Sequence, residues 1–439
     1  MLKWMHGRLR WTLVFWLFVV SAVAYLDRVN VSIAARAIQE EYRLSNIQLG
    51  WVFSAFLAGY ALFQTPGGRL ADRFGPRRVI SLGVLWWSAF TALTTLVPAG
   101  AAHSIALLVA VRFLLGAGEA VIYPAANRMV ANWIPSSERG LANGIIFAGV
   151  GVGAGVTPPL ITYVLLHWGW RWSFLTCALL GIGVSLIWHL LFRDAPRAHP
   201  WMGARELAHI EAGIPSTRAE LETRQAVGWG TIARDRNLLA LTASYFTVGY
   251  VAYIFYTWFF TYLTRVRGLD LKSSAVYSML PFLAMAIGSP WGGWISDRIA
   301  KRHGKRAGRC GVAAFGMALG AVFLAAATQV ASARLACVVL AGGAGALCLA
   351  QSAYWAVTAD IAGRSAGAAS GLVNMGAQIG GALTATLTPW IADRFGWTAS
   401  FLVAAALCAL GSLAWLAVDP HASLDASRER SCKVVVERG

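Results

Sequence analysis

The chain has 439 residues, 57% of them hydrophobic and only 13% charged, with twenty Trp and a mean hydropathy of +0.58. A soluble domain is about 25% charged, so these values exclude an ordinary water-soluble protein. The formal charge of +17 would suit nucleic acid if the basic residues shared one folded surface; they fall instead in short clusters between apolar runs, the pattern of a polytopic membrane protein.

A membrane-crossing helix needs about 20 mostly apolar residues. By that measure the sequence predicts twelve spans, near 11–35, 48–66, 79–99, 104–133, 141–166, 172–192, 237–263, 275–295, 310–329, 334–359, 366–391 and 398–418. Lys3, Arg8 and Arg10 before an apolar core, with Ala22-Val23-Ala24 behind it, have the form of a signal peptide. The apolar character resumes after Arg28, which favours a first span instead. Residues 193–236 are polar, Arg-rich and broken by Pro196, Pro200 and Pro215. The expected organisation is therefore an N-terminal six-helix bundle (1–192), a cytoplasmic linker (193–236), a C-terminal six-helix bundle (237–418) and a polar tail (419–439). Most Lys and Arg fall on the side that carries the linker and both termini, which places that side in the cytoplasm. A bacterial inner membrane fits this.

The halves resemble each other. Gly68-Arg-Leu-Ala-Asp72-Arg73 follows the second span and Gly293-Trp-Ile-Ser-Asp297-Arg298 the eighth. At nearly the same shift, "GWRWSF" (169–174) answers "GWTASF" (396–401), and Gly140, Gly144 and Gly153 answer Gly367, Gly371 and Gly380. Two kinds of match at one shift indicate duplication, and parallel repeats put a transporter's site between the halves near mid-membrane. The six Cys show no metal spacing, the eight His form no pair, and no nucleophile elbow, phosphate loop or dinucleotide fingerprint occurs. The expectation is no enzyme, no metal and no cofactor.

Intramembrane charge is costly and usually functional. The first span holds Asp27 and Arg28, the fourth Arg112 and Glu119. Arg28 and Arg112 come out at similar depth, each roughly 10 Å from the far membrane surface at 1.5 Å rise per residue. Arg112 and Glu119 share a helix face two turns apart, about 10 Å along the axis, too far for an easy direct bond. Adjacent Asp27 and Arg28 need not pair with each other. Two cations and two carboxylates suit cotransport of an anion with protons: a fixed Arg holds a substrate carboxylate, and a carboxylate in a dry cavity can take up and release a proton. The alternative is a set of salt bridges that merely ties spans one and four together. Tyr25 lies on the Arg28 face. From spans ten and eleven, Gln351, Ser352, Trp355, Ser370, Asn374 and Gln378 are substrate-binding candidates, and so are Tyr250, Tyr253 and Trp258 of span seven; interhelical bonding is their alternative role. Asp72, Arg73, Asp297 and Arg298, at span ends, read as a gating latch through charge pairs and helix-end dipoles. "GVGVGAGVTPP" (149–159) reads as close packing with a hinge.

"GGRLADRFGPRR" resembles the loop between spans two and three of the major facilitator superfamily. "YLDRVN", "GYALFQTPGGRLADRFG" and "RFLLGAGEAVIYPAANRMVANWIPSSERGLANG" resemble the anion:cation symporter family, which includes sugar-acid permeases for galactonate, hexuronates and glucarate and the animal sialic-acid and vesicular glutamate carriers. Pro76 stands where the general loop motif has a basic residue, and "YTWFFTYL" in span seven lacks the proline expected after its Trp. The resemblance implies an all-α membrane protein of twelve transmembrane helices in two pseudo-symmetric six-helix bundles. It implies proton-coupled import of an organic anion, most of all a sugar acid, by alternating access, with protons as coupling ion and a monomer in the bilayer. It implies that Arg28 grips the substrate carboxylate, that Asp27 and Glu119 carry protons with Arg112 as relay, and that Tyr60 faces the cavity. The rivals are a permease for aromatic or dicarboxylic acids, an exchanger of phosphorylated compounds, and a transporter-like membrane sensor.

Overall fold

The computed structural model describes residues 8–100, 103–214, 227–259 and 262–424. Most of the tail, including Cys432, and the linker's middle, including Pro215, lie outside the described residues. Among the described residues, thirteen α-helices of ten residues or more carry the architecture and no strand occurs.

The first half contains α1 (Leu9–Tyr42), α2 (Asn46–Phe74), α3 (Pro76–Thr94), α4 (Ser104–Glu119), α5 (Ile122–Trp133), α6 (Arg139–Trp168) and α7 (Trp170–Leu191). Sequence signals explain the boundaries. Ser45 and Gln48 form a reciprocal capping box at the start of α2. Pro76 opens α3 as its first residue, where a missing N–H costs nothing. The fourth span is one apolar stretch, Ser104–Trp133, in which helical hydrogen bonding is interrupted at Ala120–Val121, between α4 and α5, while both residues keep right-handed helical φ and ψ. Pro124, in the first turn of α5, has no N–H to offer the carbonyl one turn back, so the interruption falls where the helix can restart.

The linker holds a short helix, α8 (Ala204–Gly213), and the second half contains α9 (Arg236–Tyr253), α10 (Leu271–Lys305), α11 (Val312–Ala327), α12 (Ala333–Ala362) and α13 (Ala366–Ala414). Span seven continues α9 through two π-helical segments, Ile254–Trp258 and Tyr262–Val266. Its irregularity therefore comes from π-turns, common at functional sites, rather than from the proline its sequence lacks. Helix α13 turns back at Gly396 (φ 84°) and so makes two crossings. Gly169, between α6 and α7, has φ 83°. The repeated "GW" is thus one corner used twice, at a left-handed conformation that glycine adopts without strain.

Within the first half α1 packs on α6, α2 on α4 and α3 on α7; in the second, α9 packs on α13 and α12 on both α10 and α11. The halves meet along α2–α13, α6–α10 and α5–α13. Alternate glycines of α6 serve different neighbours. A Cβ at Gly149 or Gly153 would strike α1 at Phe18 or Ala22, and one at Gly151 would strike α10 at Phe282 and Ala286. The expected close packing is therefore present, and the helix assignment of α6 continues through this stretch. Leu62, Leu82, Leu166, Leu190 and Leu416 are more than 60% exposed on the outer surface. Patches of this kind on so many helices are the surface of a protein solvated by lipid. Among the described residues, eight segments are apolar and long enough to cross a bilayer. Two of these run to 52 residues, far beyond one crossing at 1.5 Å per residue, and each covers two spans.

Candidate substrate site

Arg28 projects from mid-α1, where its guanidinium meets Glu119 of α4. Nη2 lies 2.5 Å and Nε 3.2 Å from the same oxygen, Oε1, while Oε2 has no partner. Three rings surround the guanidinium, with centroids at 4.4 Å (Tyr60), 4.7 Å (Tyr25) and 5.1 Å (Phe56); Tyr25 Oη also accepts from Nη1 at 3.4 Å.

Asp27 faces the other way. Its Oδ2 accepts from Thr91 Oγ1 of α3 at 2.9 Å, and it does not pair with Arg28. Arg112 lies against the Phe56 ring at 5.0 Å and feels both Asp27 and Glu119 without an ion pair to either. Asp27, Arg112 and Glu119 are each no more than 2% exposed. The four charged residues thus converge as two sets, Arg28 with Glu119 and Asp27 with Arg112, and Phe56 touches both cations. Arg112 and Glu119 make no direct bond, in line with their expected separation along the helix axis.

Beside the first set lies a cavity of about 90 Å³ between the halves. Tyr25, Tyr60, Tyr123 and Phe147 line it from the first half, and Tyr245, Tyr253, Tyr256, Gln351, Asn374 and Gln378 from the second. Arg28 stands behind Tyr25 and Tyr60 rather than in the wall itself. The amides of the second half are already paired: Gln351 Nε2 donates to Tyr245 Oη at 2.5 Å, Tyr253 Oη donates to Gln378 Oε1 at 2.9 Å, and Asn374 Nδ2 donates across the interface to Gln64 Oε1 at 2.9 Å. Trp355 donates to Tyr245 Oη at 3.4 Å and packs at a tilt against the stacked pair Tyr123 and Phe147 of the other half, with centroids at 6.0 and 5.0 Å. Ser370 sits one turn below Asn374, outside the lining, bonded by Asn127. Tyr250 turns to Thr388, and neither Ser352 nor Trp258 lines the cavity.

The sequence reading missed Gln64, Tyr123, Phe147, Tyr245 and Tyr256. For three of these a signal existed. Tyr123 is one helical turn from Glu119, and Tyr245, Val248, Gly249, Ala252, Tyr253 and Tyr256 form a single stripe at helical spacing.

Below the cavity, toward the linker end, the halves are zipped. Asp72 accepts from the backbone N–H of Gly367 (3.1 Å) and Ala368 (2.9 Å) at the start of α13. Asp297 accepts from Gly140 (3.1 Å) and Leu141 (2.7 Å) at the start of α6. The two caps are repeat images of each other. Their cations are not the adjacent arginines: Arg73 and Arg298 lie exposed over Phe74 and Trp294 of their own helices. Arg128 approaches Asp72 at 3.6 Å and donates to Gly363 O, and Arg309 lies 2.6 Å from Asp297 and donates to Ser136 O. A wider cleft of about 240 Å³ at the opposite end of the second half surrounds Arg267. That guanidinium is occupied by Tyr262 Oη and the carbonyls of Ala327 and Val330, so the cleft offers no free charge.

The sequence model of the Major Facilitator Superfamily matches residues 17–385 and 302–434. The chain belongs to that superfamily. Its fold is that of the major facilitators: a solved structure of the proton:xylose symporter XylE superposes with a TM-score of 0.73 over 92% of this chain and 94% of that one, at 15% identity. Among curated major facilitators, a "Probable sulfoacetate transporter" of Cupriavidus necator is 35% identical over 94% of both chains. A "Probable galactarate/D-glucarate transporter" of Bacillus subtilis is 34% identical over 67% of this chain and 66% of its own length. The "Hexuronate transporter" of the same organism is 28% identical over 91% and 92%. The protein is a multi-pass membrane transporter of the organic-anion kind, not an enzyme.

Proposed function

We propose that this protein is a proton-coupled symporter that imports an organic anion by alternating access, with the linker end in the cytoplasm of a bacterial cell. The observation that carries the reading is the Arg28–Glu119 pair set directly behind two tyrosines of the cavity between the halves. Glu119 occupies the guanidinium a substrate carboxylate would want. A proton from outside neutralises Glu119, releases Nε and Nη2, and lets the substrate anion take the same fork bidentately. Neither the proton nor the anion is favoured alone, because each leaves a buried charge without its counterpart. Asp27 is the second proton site and Arg112 joins the two. With the linker end zipped by Asp72 and Asp297, loading takes place from the opposite side. Rocking the halves then exposes the site to the cytoplasm, where loss of the proton lets Glu119 reclaim Arg28 and expel the substrate.

For the substrate, a sugar acid is supported by the tyrosine faces, the amides of Gln351, Asn374 and Gln378, and the relatives named for galactarate, glucarate and hexuronates. A short sulfonated acid is supported by the relative named for sulfoacetate, because a sulfonate offers Arg28 the same fork of oxygens. Counterflow in proteoliposomes against hexonates, hexuronates, aldarates, sulfoacetate, aromatic acids and dicarboxylic acids separates these, and uptake itself separates a carrier from a sensor. Glu119→Gln is expected to keep exchange and lose proton-driven accumulation. Arg28→Ala is expected to lose binding. Concentrative uptake by Glu119→Gln, or wild-type affinity in Arg28→Ala, overturns the mechanism.

A further inference from the structure

Asp27 is buried on the side of α1 away from the cavity, and what holds it there bears on its role. Among the described residues no cation lies within ion-pair distance of Asp27, and its Oδ1 has no partner. The groups that face it are Arg112 and Glu119 from α4, Cys177 from α7, its neighbour Arg28 on α1, and Thr91 from α3. Only Thr91 makes a hydrogen bond, at 2.9 Å to Oδ2.

That bond is not the default for a helical hydroxyl. A Ser or Thr inside a helix commonly donates to the carbonyl one turn back. On this same helix Ser81 donates to Arg77 O and Thr94 to Phe90 O, both at 2.9 Å. Thr91 gives up that bond and turns its single proton toward the carboxylate. Thr91 is fully buried and does not line the cavity, so its side chain serves Asp27 and not a substrate.

We propose that Thr91 is a positioning residue for Asp27: its hydroxyl fixes the carboxylate on the α3 side of α1 and sets the pH at which Asp27 exchanges its proton. The proposal rests on the reading of Asp27 as a proton site. A donor aimed at a carboxylate favours the ionised form. A hydroxyl can also rotate and accept from the protonated acid, so the contact survives both states and guides the proton without trapping it.

The test reads Asp27 directly and needs no substrate. Protein reconstituted in lipid is titrated by infrared difference spectroscopy, and the protonated-carboxyl band missing in Asp27→Asn is assigned to Asp27. In Thr91→Val the midpoint of that band is expected to move upward by about one pH unit, and its frequency to change as a bond is lost. Thr91→Ser is expected to keep the wild-type midpoint. An unmoved midpoint in Thr91→Val overturns the proposal, and so does a Thr91→Ser shift as large as that of valine, which would mark a packing effect. Should Thr91→Val fail to fold, Thr91→Ala takes its place with the same expected shift. If Asp27→Asn removes no titrating band, the proton role of Asp27 fails and this inference with it. If the band is present but indifferent to Thr91, only this inference fails.

Discussion

Arg28 has two kinds of partner, and they differ in what a substitution does. Glu119 supplies charge, while Tyr25, Phe56 and Tyr60 supply ring faces, each worth roughly 0.5 to 2 kcal/mol. Neutralising Glu119 leaves Arg28 in its ring cage. Removing Arg28 strands a buried carboxylate, at a cost of roughly 3 to 5 kcal/mol. Glu119→Gln also leaves a buried charge unpaired, but the rings keep partial hold of it, so purified Glu119→Gln should melt nearer to wild type than Arg28→Ala does; the opposite order would overturn this reading of the pair. Among the described residues, Phe56 is the one ring that contacts both Arg28 and Arg112. Phe56→Leu is expected to lower stability by about 2 kcal/mol through two lost cation–π contacts, read as a lower melting temperature, and an unchanged value would mean the ring only fills space. The charged residues were legible in the sequence because an ion in hydrocarbon stands out. Their pairing was not: which of Asp27 and Arg28 meets Glu119 depends on how α1 is rotated against α4.

At the scale of elements, α8 turns the linker into more than a tether. Glu206 is buried and accepts from the N–H groups of Leu9 (2.9 Å) and Arg10 (3.1 Å), capping α1 at its positive end. Arg10 also reaches Glu138, which His209 of α8 approaches at 2.9 Å. Ser136 N–H donates to Gly213 O, while Ser136 O accepts from Arg309 of the other half. Loss of the cap in Glu206→Ala should release α8, seen as faster limited proteolysis within the linker; wild-type resistance would show that the dock does not depend on Glu206. Burial pushes Glu138 up, but hydrogen bonds from Arg10 and His209 outweigh it and hold the carboxyl below its ordinary range. A depressed carboxylate stabilises the folded state above its unfolded pKa and loses that contribution as pH falls through the folded one. The dock should therefore persist through neutral and mildly acidic pH and loosen only below the usual carboxylate range, which proteolysis across a pH series checks. Charge runs announced this linker as polar and nothing more. A ten-residue helix with one buried glutamate has no pattern of its own until α1 ends beside it.

For the whole molecule, the duplication is realised as two matching seams. Gly68 of α2 meets Gly367, and Gly293 of α10 meets Gly140, so closely that a Cβ at Gly68 or Gly293 would stand 2.0 or 2.2 Å from the opposing carbonyl oxygen. Gly68→Leu must therefore hold the linker end apart. Spin labels at positions 73 and 298, exposed on either half, should report longer separations in that variant than in the parent, and an unchanged distribution would show that this seam does not govern closure. Composition alone settled the solvent of this chain, since a twenty-residue transfer free energy is a property of the segment. The repeat followed from copied residues, which persist in sequence wherever the chain folds. Chain statistics could not reveal that Asp72 and Asp297 cap helices of the opposite half and leave Arg73 and Arg298 outside, that Tyr123, Phe147, Tyr245 and Tyr256 border one cavity, or that Asp27 and Glu119 face different partners. Those outcomes depend on the height and rotation of helices far apart in sequence, which only their packing fixes.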